Sequence, residues 1–160
     1  MIVKLIRDDT RGSALVEFTV TFPFFLLLMF GLLQAGLLLY TNTGLQHGAE
    51  RAARCASVNY SAYLLGYLTQ SCFSGVAPNA VTNSTIQQYA VQSSWGLVPT
   101  SSNVTVHSPA DSPPDPNAKC GTGATAVPGY VVTISKSYNL IHYIFSVTLN
   151  ATSCFPINVS

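Results

Sequence analysis

One uninterrupted apolar segment constrains the fold of this chain more than any other feature. Residues 22–40 read FPFFLLLMFGLLQAGLLLY, and Gln34 is the only strongly polar side chain among them. At a rise of 1.5 Å per residue this segment is about 28 Å of helix, close to the ~30 Å thickness of a bilayer's hydrocarbon core. A cleavable secretory signal has an apolar region of only about 7–15 residues. The segment therefore predicts a retained membrane-spanning helix over residues 22–40.

The charges around this segment predict its orientation. Lys4, Arg7 and Arg11 precede it, whereas the next basic residue after it is Arg51. Cytoplasmic flanks of membrane helices carry an excess of Lys and Arg. We therefore expect a cytoplasmic N-terminus, a single membrane crossing and an exported C-terminal part.

The helical pattern continues beyond the apolar segment, so the sequence predicts one long helix over residues 13–57. Apolar residues keep spacings of three and four as far as Ala56. A strip of small residues at i, i+4 spacing runs along this part of the helix: Gly44, Gly48, Ala52 and Ala56. Small residues let helix backbones approach closely, which makes this a candidate helix-packing strip, although Gly and Ala are also tolerated in membrane helices generally.

The remainder, residues 58–160, is rich in Ser, Thr, Asn and Tyr and predicts a small α+β domain. Ser84 and Gln87 have the spacing of a helix capping box and begin a short helix that ends before Gly96. Apolar and polar residues alternate over 103–107, 130–136 and 143–150, which predicts a three-stranded antiparallel sheet covered on one side by helix. The proline-rich residues 108–116 predict an exposed loop.

Four cysteines lie on the expected exported side: Cys55, Cys72, Cys120 and Cys154. An even count in an oxidising compartment indicates two disulfides, for which three connectivities are possible. Of these we favour Cys55–Cys72 and Cys120–Cys154. A zinc site is the alternative, but no pair has the Cys-x-x-Cys spacing of such sites.

The polar residues do not form a recognisable catalytic or cofactor-binding pattern. Only seven charged side chains follow Phe18, and His47, His107 and His142 are scattered, without a carboxylate or Cys at metal-ligand spacing. Glycine-rich phosphate loops and nucleophile-elbow motifs are absent from the sequence. A net charge of +1 provides no basic surface for nucleic acid. We expect no catalytic residues, no metal and no cofactor.

Three features together resemble the TadE-like proteins of tight-adherence (Tad) pilus systems. The first is Gly-Ser-Ala-Leu-Val-Glu-Phe at residues 12–18, which is similar to the processing site of type IV prepilins. The second is Pro23 near the start of the apolar segment, and the third is Leu-Gln-His-Gly-Ala-Glu-Arg-Ala-Ala-Arg at residues 45–54. TadE-like proteins are minor pilins, also called pseudopilins.

The resemblance implies a division of the chain and roles for three residues. Residues 1–12 would be a cytoplasmic leader that a prepilin peptidase removes after Gly12, leaving Ser13 as the new N-terminus. Glu17, five residues after the cut, would be the acid that pairs with the free N-terminal amine of a neighbouring subunit. Residues 13–57 and 58–160 would then be the long helix and the pilin-like exported domain.

The same resemblance implies a location and a set of partners. The location would be the bacterial inner membrane, with the C-terminal domain in the periplasm or incorporated in the pilus. The partners would be the prepilin peptidase, other minor pilins, the major pilin, the inner-membrane assembly platform and membrane lipid. The residues alone leave a second reading open, namely an unprocessed single-pass anchor that carries a periplasmic partner- or ligand-binding domain.

Overall fold

The computed structural model describes residues 10–66, 72–73, 81–140 and 145–157. Its helices and strands in chain order are α1 (Thr10–Leu64), α2 (Asn83–Ser93), β1 (Val104–His107), β2 (Lys119–Cys120), β3 (Val127–Leu140) and β4 (Phe145–Pro156). The chain divides into two compact units, Met1–Leu37 and Leu38–Ser160, and α1 contributes to both. The predicted α+β class, with a long N-terminal helix, a short helix and an antiparallel sheet, is confirmed.

α1 is longer than the predicted 13–57 at both ends, and Pro23 lies inside it. At the C-terminal end, Asn59 is only 2% exposed, and its Nδ2 donates to the carbonyl oxygen of Cys55 at 2.9 Å. One residue later, the ring of Tyr60 packs edge-on against Tyr130, with 6.0 Å between the centroids. These contacts stabilise the last part of α1, residues 58–64. The apolar spacing of three and four stops before this part, so the sequence did not predict it as helix.

The sheet is built around β3, which pairs antiparallel with the three other strands found among the described residues. β1 pairs with residues 131–134 of β3, β2 with residues 127–128, and β4 with residues 129–140. The prediction of three strands was therefore one strand short. β2 has only two residues, Lys119 and Cys120, and two residues carry no alternation that a pattern search detects.

One face of the sheet is apolar and the other polar, as the alternation predicts. Val132 and Ile134 of β3 are fully buried, and they share their face with Leu149 and Ala151 of β4. On the opposite face, the Thr133 and Thr152 hydroxyls lie 3.1 Å apart, and Ser135 Oγ donates to Asn150 Oδ1 at 2.7 Å. The buried face belongs to a single core cluster with α1 and α2, to which the fully buried Leu45, Ala49 and Ile86 also belong.

The predicted capping box of α2 was wrong, because Thr82 rather than Ser84 is the N-cap residue. The Thr82 hydroxyl accepts from the backbone N–H of Thr85 at 3.4 Å. Gln87 does not reach back to the cap, since its Nε2 donates to the carbonyl oxygen of Val104 at 3.0 Å. A side chain that local spacing assigns to capping is used instead to tie α2 to β1.

Candidate functional site

The part of α1 in the first unit exposes apolar side chains in every direction around the helix. Phe24, Phe25, Leu27 and Leu33 are 56–71% exposed, and because successive helical residues point about 100° apart, these four lie on all sides of the helix. A helix that is apolar all round requires an apolar environment. Among the described residues this is the one helix long and apolar enough to cross a membrane, as judged by length and composition.

Gly12 and Ser13, the predicted cleavage site, lie in the first turn of α1 as the structure describes it. A Cβ atom added to Gly12 would meet nothing within 4 Å. Packing within the described part of the chain therefore does not require glycine at this position, although glycine weakens a helix by about 1 kcal/mol relative to alanine.

Glu17, the predicted assembly acid, is exposed and lies between apolar neighbours one turn further along α1. The adjacent Phe18 stacks on Phe22 with 5.1 Å between the ring centroids. Within the described part of the chain, no cation forms an ion pair with the Glu17 carboxylate. Acidic side chains within membrane helices are costly and normally pair with a cation or face a polar cavity.

The small-residue strip lies in the second unit, where the chain itself covers it. Ala52 and Ala56 are at most 1% exposed, and Gly44 and Gly48 are also buried. A Cβ atom on Gly44 would overlap the carbonyl group of Trp95, and one on Gly48 would lie 2.8 Å from the carbonyl oxygen of Ala90 in α2. The strip therefore packs α1 against α2 and the segment that follows it, within the same chain.

The four cysteines form two disulfides, Cys55–Cys72 and Cys120–Cys154. The first joins α1 to the segment that follows it, and the second joins β2 to β4. Gly129 makes room for the second disulfide, because a Cβ atom there would lie 2.5 Å from Cys120 Sγ and 2.6 Å from the carbonyl oxygen of Phe155.

Two shallow, solvent-open grooves flank Arg54 and Val58 on α1. One is also lined by Arg51 and Tyr89, and the other by Phe155 and Pro156. Neither groove contains a carboxylate or a histidine among its lining residues. The grooves therefore provide apolar and cationic surface, not an acid–base pair.

His107 has a carboxylate partner that the sequence reading missed. Its Nδ1 lies 2.6 Å from Asp115 Oδ2, and the backbone N–H of Asn117 donates to Asp115 Oδ1 at 2.8 Å. The hydrogen bond from Asn117 and, to a smaller extent, the one from His107 hold the pKa of Asp115 below its ordinary value, because both stabilise the charged carboxylate. The pair closes the proline-rich loop onto β1. It does not form part of a metal site among the described residues, because they contain no cluster of three His, Cys, Asp or Glu side chains that could hold a metal ion.

The other two histidines have different surroundings. His47 packs against Trp95, with 4.4 Å between the ring centroids. His142 lies outside the described residues.

Comparison with known proteins locates one region of similarity. A family model described as TadE-like protein matches residues 12–54. No curated protein and no solved structure gives a significant match to the chain. The predicted resemblance is thus confirmed over the interval from Gly12 to Arg54, which contains the apolar part of α1 and most of the small-residue strip.

Proposed function

We propose that this chain is a minor pilin that a prepilin peptidase processes after Gly12 and that takes part in assembling a tight-adherence pilus for surface attachment. The observation that carries the proposal is the TadE-like match, which begins at Gly12 and covers the whole apolar segment 22–40. The role is structural, with the apolar helix as the assembling element and the disulfide-linked domain carried on it. Its partners in this role are the prepilin peptidase, the other pilins and the assembly platform of the inner membrane.

The open surroundings of Gly12 support processing after this residue. No atom of the described residues lies within 4 Å of a Cβ atom placed on Gly12, so the chain leaves this glycine accessible to an enzyme. Removal of residues 1–12 also removes Lys4, Arg7 and Arg11, the charges that hold the N-terminus in the cytoplasm. The processed chain begins with a free amine at Ser13, next to a membrane segment that no longer carries a basic flank.

The mass of the purified full chain tests this proposal. Co-expressed with a prepilin peptidase, the wild-type chain is expected to begin at Ser13. Gly12→Val is expected to remain intact from Met1, because a branched side chain next to the scissile bond obstructs a site that fits glycine. Gly36→Val serves as the matched control, since Gly36 also has no neighbour within 4 Å but lies away from the site. An intact Met1 in the co-expressed wild type would contradict processing and leave a single-pass anchor.

Glu17→Ala is expected to leave cleavage intact and to abolish pilus assembly. The carboxylate is five residues from the cut and has no cationic partner in the described chain, whereas the proposed neighbour supplies the Ser13 amine. Opposite charges 4 Å apart gain about 4 kcal/mol at an effective dielectric constant of ~20. Pili are counted by electron microscopy and cleavage is followed by mass.

Glu17→Gln is the isosteric control for this experiment. It keeps the shape and removes the charge, so it is expected to fail in assembly as Glu17→Ala does. Normal piliation in either variant would show that the charge is not required.

A further inference from the structure

β3 and β4 extend beyond the rest of the sheet as a two-stranded ribbon. β1 begins at Val104, opposite Ile134, whereas β3 and β4 remain paired as far as Leu140 and Phe145. Residues 135–140 and 145–150 therefore have one strand neighbour each. Two-stranded ribbons are marginal in isolation and gain stability from further strands.

The outer edge of β4 is capped in one half and open in the other. The backbone N–H of Ile157 donates to the carbonyl oxygen of Pro128 in β3. Because main-chain groups alternate in direction along an antiparallel strand, the odd-numbered residues of β4 point theirs toward β3 and the even-numbered residues point theirs outward. Of the outward carbonyls, Thr152 accepts from Gln46 Nε2 at 3.3 Å and Pro156 accepts from Ser57 Oγ at 2.6 Å. α1 thus covers this edge where the two elements meet.

Three residues in the open half present main-chain donors and acceptors to solvent. Ser146, Thr148 and Asn150 are exposed, and their outward N–H and C=O groups have no hydrogen-bond partner within the described ranges. The open edge of β3 is different, because there Lys136 Nζ donates to Asn103 Oδ1 and the turn at Ser101–Asn103 adjoins the strand.

This edge lacks the features that usually keep edge strands from pairing. Charged side chains, prolines and bulges protect edge strands in natural sheets. The sequence has no charged residue after Lys136, and the first proline after Phe145 is Pro156. Val147 and Thr148 favour extended backbone. The edge of β4 over residues 146–150 therefore lacks these protective features and can pair with another strand.

We propose that the open edge of β4 pairs with the same edge of a second copy of this chain, antiparallel and two-fold symmetric about Thr148. In this register Thr148 faces Thr148 of the second copy, and Ser146 faces Asn150 in both directions. Each pair brings outward main-chain groups together, so the three pairs form about six hydrogen bonds.

We favour a second copy of the chain as the partner because the open edges of two β4 strands can pair with each other in this register. Both strands are uncharged, so a like-charge contact does not arise, and a Thr–Thr pair across antiparallel strands is favourable. A two-fold axis through Thr148 uses all three open residues of both chains and stops before Thr152, whose carbonyl Gln46 already occupies. The proposal does not depend on cleavage after Gly12.

Cysteine cross-linking of the full chain in membranes tests the symmetry axis. Directly opposed residues of a hydrogen-bonded antiparallel pair have Cα atoms about 5.5 Å apart, within the ~4.4–6.8 Å that a disulfide spans. Thr148→Cys is therefore expected to form a reducible dimer on mild oxidation. Thr152→Cys, on the same strand and face, would lie about 27 Å from its symmetry mate and is expected to form at least tenfold less. Ser137→Cys, on the opposite edge of the ribbon, is expected to behave like Thr152→Cys.

Two cysteine variants expressed together test the register. Because neither is expected to cross-link alone, a mixed dimer does not result from either substitution by itself. Ser146→Cys and Asn150→Cys, each alone, place the two thiols about 13 Å apart and are expected to stay monomeric. Co-expressed, they are expected to form a mixed dimer because Ser146 faces Asn150. Equal dimer yields from Thr148→Cys and Thr152→Cys, stronger cross-linking at Ser137, or capture of another protein at Thr148 would each overturn the proposal.

Discussion

We expect Gly48→Ala to lower the free energy of unfolding of the second unit by about 2 kcal/mol, because overpacking a core typically costs ~1–3 kcal/mol. The added Cβ atom would lie 2.8 Å from the carbonyl oxygen of Ala90 and closer still to Ser94 Oγ. The Ser94 side chain can rotate away at the expense of its 2.7 Å hydrogen bond to Ala90. The Ala90 carbonyl cannot, because it is part of the α2 backbone.

Urea unfolding of the full chain in detergent micelles measures this effect. The chain has a single tryptophan, Trp95, which packs on His47 one residue away from Gly48, so its fluorescence reports on this interface. Gly36→Ala is the matched control, because it lies on the same helix with nothing within 4 Å of the added atom. The control is expected to unfold at the wild-type urea concentration or above it. Equal midpoints for Gly48→Ala and Gly36→Ala would refute the close packing of α1 on α2.

Removal of the Cys120–Cys154 disulfide is expected to have the larger effect of the two. The bridge closes 34 residues of chain, for which loop-closure entropy gives about 4 kcal/mol of stabilisation. β2 is paired to β3 over only two residues, so the disulfide is the main attachment of this strand. We expect Cys120→Ala/Cys154→Ala to shift the unfolding midpoint well below that of the wild type and to release β2.

The second disulfide provides a comparison within the same chain. Cys55–Cys72 closes 17 residues, for which the same relation gives about 3 kcal/mol. Cys55→Ala/Cys72→Ala is therefore expected to be destabilised somewhat less, with hydrogen exchange at β2 unchanged. An unchanged midpoint in the Cys120→Ala/Cys154→Ala variant would show that packing alone holds the domain.

The sequence predicted those parts of the fold in which a regular pattern runs for many residues. The apolar segment 22–40 predicted the exposed apolar half of α1, and alternation around Val132 and Ile134 predicted β3 and its buried face. Gly12 and Glu17 are predicted as site residues from a local motif, and the family match begins at Gly12. Their roles in cleavage and assembly stay predictions.

The sequence pattern did not predict features that depend on contacts between distant residues or on very short elements. β2 pairs with β3 over only two residues and is bonded to β4 through Cys120–Cys154, a bridge for which Gly129 leaves space. Gln87 caps no helix because Val104, on another element, offers a carbonyl oxygen. His107 and Asp115 meet only after the proline-rich loop has closed. In each case tertiary geometry, which a single sequence does not display, determines the partner.

The side-chain caps that α1 places on β4 have a consequence for the order in which the chain folds. Gln46 and Thr152 are 106 residues apart in the sequence, and Ser57 and Pro156 are 99 apart. At synthesis rates of roughly 5–20 residues per second, about 5–20 s pass between the appearance of Gln46 and that of its acceptor. During this interval β4 is not yet there to complete the core against Leu45 and Ala49. α2 can cover Gly44 and Gly48 of α1 earlier, but the core of the second unit is complete only once β4 has been synthesised.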